Sequence, residues 1–307
     1  MSTLNVPNSS FRRSYDGAPE HLAKSRETPT DTDAPPSVSY GTVDRVNDGF
    51  RLLGKAVPAV ATLSYAVCLV ALLVWPPLTL VLFLVTWPFD RNHVVPSRFY
   101  RLLPALWSRS FPFWRIRLEG SWPRGEGPYV VVANHQSFLD IFVLCNILHE
   151  WKWVAKKSLF RIPLFGWGLS LTGSISLDRG DTASATAVME KCRHYLGEGI
   201  SVMMFPEGTR STDGRLLPFK PGAFKLAVEA GVPVLPIAVF GTAGGMPKGG
   251  IWVRPATIAV RILEPVPTAG LKGTVYEARL LRDEVHHRIE RVLDEKARAT
   301  APSPSCQ

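Results

Sequence analysis

From Ala56 to Phe89 the chain carries no charged residue. This run, AVPAVATLSYAVCLVALLVWPPLTLVLFLVTWPF, exceeds the ~20 residues a helix needs to cross a bilayer core of ~30 Å. Pro76 and Pro77 interrupt it. Adjacent prolines remove backbone donors and break or kink a helix. Two shapes fit: a single kinked span, or a two-helix hairpin that enters and leaves on the same face. Both flanks are basic, with Arg45, Arg51 and Lys55 before the run and Arg91, Arg98 and Arg101 after it. A positive-inside bias therefore does not separate the ends, which favours the hairpin. A buried core hairpin of a soluble domain is the competing reading, and it sits poorly with so long an uncharged run. Residues 96–115, PSRFYRLLPALWSRSFPFWR, interleave Arg with aromatic residues and Leu. Such a stretch suits either a lipid headgroup layer or an amphipathic segment packed on the domain.

Residues 1–45 are rich in Ser, Thr, Pro and charge and show no apolar period, which predicts a disordered tail. The absence of an apolar core there argues against a secretory signal. The formal net charge of +9 implies anionic partners. No aromatic-basic nucleic-acid pattern accompanies it, so lipid or a phosphorylated ligand is the expected partner and nucleic acid is not. The four cysteines, Cys68, Cys145, Cys192 and Cys306, form no C-x-x-C pair. They suggest neither a zinc site nor a disulfide framework, and fit reduced thiols facing the cytosol.

After Arg115 strands and helices alternate. Strands are expected at Tyr129–Ala133, Ser174–Leu177, Ile200–Phe205, Val234–Val239 and Thr257–Leu263. Helices are expected at Leu139–Leu148, Asp181–Leu196 and Gly222–Ala230, with a long final helix carrying Leu281, Val285, Ile289, Val292 and Leu293 on one face. Asp181 is placed to cap its helix, and Gly197 and Gly231 to end theirs. Near-continuous apolar strands between helices predict an α/β fold: a mostly parallel sheet flanked by helices, preceded by an N-terminal apolar membrane helix hairpin. Ligands of such sheets sit at the carboxyl ends of strands.

Three clusters fall at those ends. In Asn134-His135-Gln136-Ser137-Phe138-Leu139-Asp140, His and Asp five apart lie about 140° apart on a regular helix, at about 100° per residue. They meet only if His135 sits in the turn before the helix and folds back. Asp140 then fixes the imidazole tautomer and leaves the other nitrogen free as a general base. Ser137 raises the possibility of a Ser-His-Asp hydrolase, but it lacks a G-x-S-x-G elbow and suits helix capping better. In Phe205-Pro206-Glu207-Gly208-Thr209-Arg210-Ser211, Gly208 permits close backbone approach and Arg210 offers a fork for phosphate. Glu207 is placed to orient Arg210 or to hold a substrate hydroxyl. Lys220 begins a helix whose N-terminus favours an anion. In Asp178-Arg179-Gly180-Asp181, Arg179 is a second phosphate candidate that Asp178 is placed to hold. Lys156 and Lys157 add positive field, Lys157 reading more as a solvated turn.

Together NHQSFLD, SLDRGD, FPEGTRS and VPVLPIA, in this order and spacing, resemble the lysophospholipid acyltransferase family, in particular its 1-acyl-glycerol-3-phosphate type. The resemblance runs from about residue 95 to about residue 290. Ser176 departs from it, standing where the family often has a bulkier apolar residue. The resemblance implies His135 as general base with Asp140 as partner. It implies acceptor binding by Glu207, Gly208, Thr209 and Arg210, with Arg179 and Arg210 near the phosphate; Lys220, from its helix start, is a further candidate for substrate binding. It also implies acyl transfer from acyl-CoA or an acyl carrier protein, with no metal and no other cofactor, to lysophosphatidic acid or to another lyso-lipid such as a lyso-ornithine lipid. Backbone donors at the helix start after His135 are candidates for stabilising an oxyanion. The expected organisation is a tail over 1–45, a membrane-associated segment over 46–95, a catalytic domain over 96–297 facing the cytoplasm, and a flexible tail over 298–307.

Overall fold

The structure is a computed structural model that describes residues 56–124, 127–250 and 252–300. The segment read as an N-terminal tail, the flanking Arg45, Arg51 and Lys55, and residues 301–307 lie outside the described residues. The apolar run forms one continuous helix, α1 (Ala56–Thr86), with both prolines inside it. The expected break at Pro76-Pro77 does not occur. A hairpin nevertheless forms, with its turn placed later. The chain reverses after Thr86, and α2 (Val94–Ser110) runs back along α1. The Trp75 indole donates to Phe99 O at 3.1 Å, and the two rings stack 4.5 Å apart. Nearer the other end, the Trp107 indole donates to Ser64 O at 3.2 Å. These contacts pack α2 along α1, and just past the prolines the Thr79 hydroxyl donates to the Trp75 carbonyl at 2.8 Å. Tertiary partners and hydroxyls of this kind allow proline inside a membrane-length helix. The segment Ala59–Thr86 has a hydropathy of 2.5 and only 11% of its most apolar window is buried against protein, so by length and composition the helix is able to cross a membrane. In residues 96–115, Tyr100, Arg101 and Trp107 of α2 are buried against the protein, while Arg98, Leu102, Leu106 and Arg109 are exposed on its other face.

The sheet has seven strands: β1 (Trp114–Glu119), β2 (Val130–Ala133), β3 (Trp151–Lys156), β4 (Ile175–Leu177), β5 (Ser201–Met204), β6 (Val234–Phe240) and β7 (Ala256–Ile262), in spatial order β1-β7-β6-β2-β5-β3-β4. Every pairing is parallel except β6 with β7. Val130, Val131, Val132 and Ala133 of the central β2 are all fully buried. Alternate residues face two separate apolar cores. Val131 and Ala133 join Leu139, Trp151 and Leu235; Val130 and Val132 join Cys192, Phe224 and Leu281. A strand covered on both faces needs this continuous apolar run. Strands β1 and β3 lay outside the sequence expectation, because WRIRLE and WKWVAK place charges between their apolar residues. Helix α3 (Leu139–Leu144) is shorter than expected. It is followed by α4 (Lys157–Phe160), α5 (Phe165–Leu171) and α6 (Thr182–Gly197), where Asp181 accepts from Ala183 N–H at 2.9 Å as the capping argument predicts. The remaining helices are α7 (Gly222–Ala230), ended by Gly231 at φ 65°, then α8 (Thr242–Gly245) and α9 (Val275–Thr300).

Candidate active site

The parallel strands β2, β3, β4, β5 and β6 end on one edge of the sheet, so the loops after them converge. The loop after β2 carries His135. Its Nδ1 lies 2.7 Å from Asp140 Oδ2. The same oxygen accepts from the backbone N–H groups of Gln136 at 2.7 Å and Ser137 at 2.9 Å. Asp140 Oδ1 accepts from the Thr242 hydroxyl. Asp140 is fully buried, and four donors on its two oxygens match what an ionised, acceptor-only carboxylate takes. The backbone folds back before α3, as the five-residue spacing requires. Asn134 fixes the turn by a pair of hydrogen bonds to the neighbouring strand: its amide NH₂ donates to Val239 O at 2.8 Å and its side-chain carbonyl accepts from Val239 N–H at 2.7 Å. The imidazole stacks on Phe205 at 3.9 Å. Its side chain is 13% exposed, and Nε2 makes no hydrogen bond among the described residues. With Nδ1–H held by the carboxylate, Nε2 carries the free lone pair.

Gln136 and Ser137 N–H are bonded to Asp140 and Leu139 N–H to Ser137 Oγ, which leaves Phe138 N–H as the donor at this helix start without a hydrogen bond among the described residues. Ser137 is no nucleophile. It is fully buried and its hydroxyl donates to Met246 O, while its oxygen receives Leu139 N–H at the start of α3. That bond is the helix-start role the sequence favoured.

Glu207, after β5, points inward. Its Oε1 accepts His135 N–H at 2.7 Å and its Oε2 accepts Leu217 N–H at 3.3 Å. It therefore does not pair with Arg210 among the described residues; it braces the backbone at His135 and Leu217. Burial pushes its carboxyl up to about 8, against the lowering pull of its two N–H donors, and the charge of Asp140 adds to the rise. A raised acid means that folding takes up a proton between the ordinary 4.5 and about 8. That stabilisation is complete below the window and lost as pH rises through it. Melting temperature is accordingly expected to fall across this interval in the wild type. In Glu207→Gln, which cannot ionise, the slope should flatten; thermal melts in detergent at a series of pH values read the difference.

The cationic candidates lie on the loops that follow β4 and β5. Arg179, after β4, is exposed and forms no ion pair among the described residues; Asp178 pairs instead with Lys157 at 3.0 Å, so the expected Asp178–Arg179 clamp is absent. The Arg210 guanidinium is likewise unpaired among the described residues, while its carbonyl accepts from Lys248 Nζ at 2.7 Å. Thr209 is exposed. Gly208 holds φ +70°, and a Cβ there would lie 2.9 Å from Cε and Nζ of Lys220. The Lys220 ammonium is thus folded over the Gly208 backbone. Gly208→Ala is expected to cost about 1–2 kcal/mol, mostly backbone strain since Lys220 can swing aside. Chemical unfolding measures that cost.

Sequence reasoning missed Thr242, which sits directly after Gly241 at the end of β6. A small hydroxyl residue following Gly at a strand's carboxyl end, Phe240-Gly241-Thr242, was the available signal. An imidazole oriented by a buried carboxylate, with the serine of its own loop committed elsewhere, suits an enzyme that activates a hydroxyl brought by its substrate. The acyltransferase family pattern matches residues 115–240 of the chain. The chain is 37% identical over 243 residues to a chloroplastic 1-acyl-sn-glycerol-3-phosphate acyltransferase of Brassica napus, covering 78% of this chain and 66% of that protein. It is 32% identical over 213 residues to the 1-acyl-sn-glycerol-3-phosphate acyltransferase of Limnanthes douglasii, covering 66% of this chain and 72% of that one. The crystal structure of the 1-acyl-sn-glycerophosphate acyltransferase of Thermotoga maritima superposes with a TM-score of 0.65 at 26% identity, covering 81% of this chain and 98% of that one. This chain belongs to the 1-acyl-sn-glycerol-3-phosphate acyltransferase family. It spans 54 to 66% of the length of the first curated relatives it matches.

Proposed function

We propose that the protein transfers a fatty acyl group from an acyl thioester, acyl-CoA or acyl carrier protein, to the free hydroxyl of 1-acyl-glycerol-3-phosphate, forming phosphatidic acid. The observation that carries this reading is His135: Nδ1 sits 2.7 Å from a fully buried Asp140, and Nε2 is open at the sheet edge where Arg179, Arg210 and Lys220 stand unpaired among the described residues. The acceptor hydroxyl donates its proton to Nε2 while its oxygen attacks the thioester carbonyl. The tetrahedral adduct collapses by breaking the C–S bond, the thiolate leaves, and the imidazolium returns the proton to it. Atoms and charge balance with no covalent enzyme intermediate and no metal. Asp140 holds the tautomer and offsets the imidazolium charge. The guanidinium of Arg210, with that of Arg179, suits the acceptor phosphate through charge-assisted, bidentate bonds.

The test is acyl transfer by purified protein in vesicles, with long-chain acyl-CoA or acyl carrier protein as donor and a panel of lyso-lipids as acceptors. Phosphatidic acid as the dominant product supports the reading. Product from a lyso-ornithine lipid alone keeps the chemistry and changes the acceptor, and no product from any pair overturns it. The membrane-length α1 brings the enzyme to its lipid substrates, and the proposed face for the catalytic domain is the cytoplasmic one. Labelling of a cysteine introduced at the exposed Leu148 in sealed vesicles of known sidedness tests that orientation.

A further inference from the structure

Asp140 has an uneven set of partners. Oδ2 receives the imidazole and two backbone N–H groups from its own loop, all within five residues in sequence. Oδ1 receives one donor, the hydroxyl of Thr242, from a different strand's end. Both side chains are fully buried, so water offers no substitute. An unpaired acceptor of a buried charged group is among the costlier defects a site can carry. The position of Thr242 is fixed by Gly241, which turns at φ +85°; a Cβ there would meet Thr257 O of β7 at 2.1 Å. Strand β7 thus presses the turn inward, and the turn sets the hydroxyl on the carboxylate. Thr242 begins α8, whose Gly245 N–H donates to Gly241 O at 3.3 Å and whose Met246 N–H donates to Thr242 O at 2.9 Å. The same Met246 carbonyl takes the Ser137 hydroxyl, so α8 grips the catalytic loop at two points.

We propose that Thr242 is a positioning residue for the reaction: its hydroxyl holds the outer oxygen of Asp140 so that the inner oxygen stays aimed at His135 Nδ1. The assignment rests on the acyl-transfer reading for its kinetic consequence, but its effect on the His–Asp pair is a property of the free enzyme. The charged groups on this pair are few. Asp140 faces the ring from α3, and Glu207 lies behind the backbone through His135 N–H. Removing a donor from the carboxylate leaves the net-negative state of the pair less stabilised. The first proton therefore binds more tightly, and the apparent pKa of the pair rises. A base that stays protonated to higher pH works only at higher pH.

The experiment compares Thr242→Val, Thr242→Ala and Thr242→Ser with wild type. Histidine ring NMR in detergent micelles follows the His135 titration, and acyl transfer to lysophosphatidic acid follows rate against pH. Val and Ala are expected to raise the apparent pKa and to move the acid limb of kcat/KM the same way. They should lower kcat about tenfold with little change in KM, as loss of a hydrogen bond to a charged group implies. Ser should restore both. A merely space-filling Thr242 would leave the titration unmoved in Val and Ala, and that result overturns the proposal. If Val fails to fold, Ala decides. If wild type turns over no lyso-lipid, the acyl-transfer reading fails while the titration still decides the role of Thr242.

Discussion

His135→Ala is expected to lower acyl transfer by about 10²–10⁴-fold at saturating substrate, the range a positioned general base contributes. The loss should fall on kcat rather than KM, because the imidazole acts on the proton in flight and not on the bound phosphate. Neither neighbouring carboxylate can stand in. Glu207 has both oxygens on backbone N–H groups, and Asp140 is buried behind the vacated ring. Asp140→Asn provides the sharper companion. Its amide oxygen can occupy the inner position and keep the Gln136 and Ser137 N–H bonds, with its NH₂ facing the Thr242 oxygen. The loop should then stay folded while the imidazolium loses its counter-charge. A kcat loss similar to that of His135→Ala, with an unchanged melting temperature, would assign the defect to chemistry. Turnover of His135→Ala within threefold of wild type would remove His135 from the mechanism.

The contrast between these two residues and Thr242 shows what a sequence displays. His135 and Asp140 are five apart, and one turn geometry brings them together, so the pair was readable with its local fold. Thr242 stands 102 residues from Asp140, and its role exists only once β6 lies beside β2. The same rule explains the errors. Asp178 and Arg179 are adjacent in sequence, but the carboxylate turns to Lys157, brought across by the β3–β4 pairing. Glu207 looked like a partner for Arg210 three positions on, yet the loop turns it inward to the backbone of His135. Pro76 and Pro77 argued for a break through local rules, and α2, placed alongside by the later turn, overrode them. The core strands, the cap at Asp181 and the stop at Gly231 depend on near neighbours and were legible.

The largest stability effect is expected at the opposite edge of the sheet, where β3 begins. Lys152 is 1% exposed, and its Nζ donates to Glu150 Oε1 at 3.1 Å, His93 O at 3.2 Å and Thr172 O at 3.0 Å. The three partners come from β3's own approach, the α1–α2 turn and the end of α5. One ammonium thus ties the α1–α2 hairpin to the sheet. Arg101 of α2 completes the cluster. It donates to Ile147 O at 3.0 Å, lies 3.8 Å from the Glu150 carboxylate and rests 3.9 Å above the Trp151 ring. Burial pulls the Lys152 ammonium below its usual range, and the Glu150 carboxylate opposes that pull. Lys152→Met keeps the apolar stem but leaves two carbonyls without this donor and Glu150 with only the more distant guanidinium. Breaking a buried pair from one side costs about 3–5 kcal/mol. The expected result in detergent is a loss of that order in chemical unfolding. Lys152→Met with Glu150→Gln should cost less than the sum of the single changes, since the second removes the stranded charge. The protein that remains folded should keep its kcat, because His135 lies at the other end of the strands. A loss under about 1 kcal/mol would mean that water reaches the cluster when Lys152 is gone, and that Arg101 and the aromatic contacts suffice to hold the hairpin to the sheet.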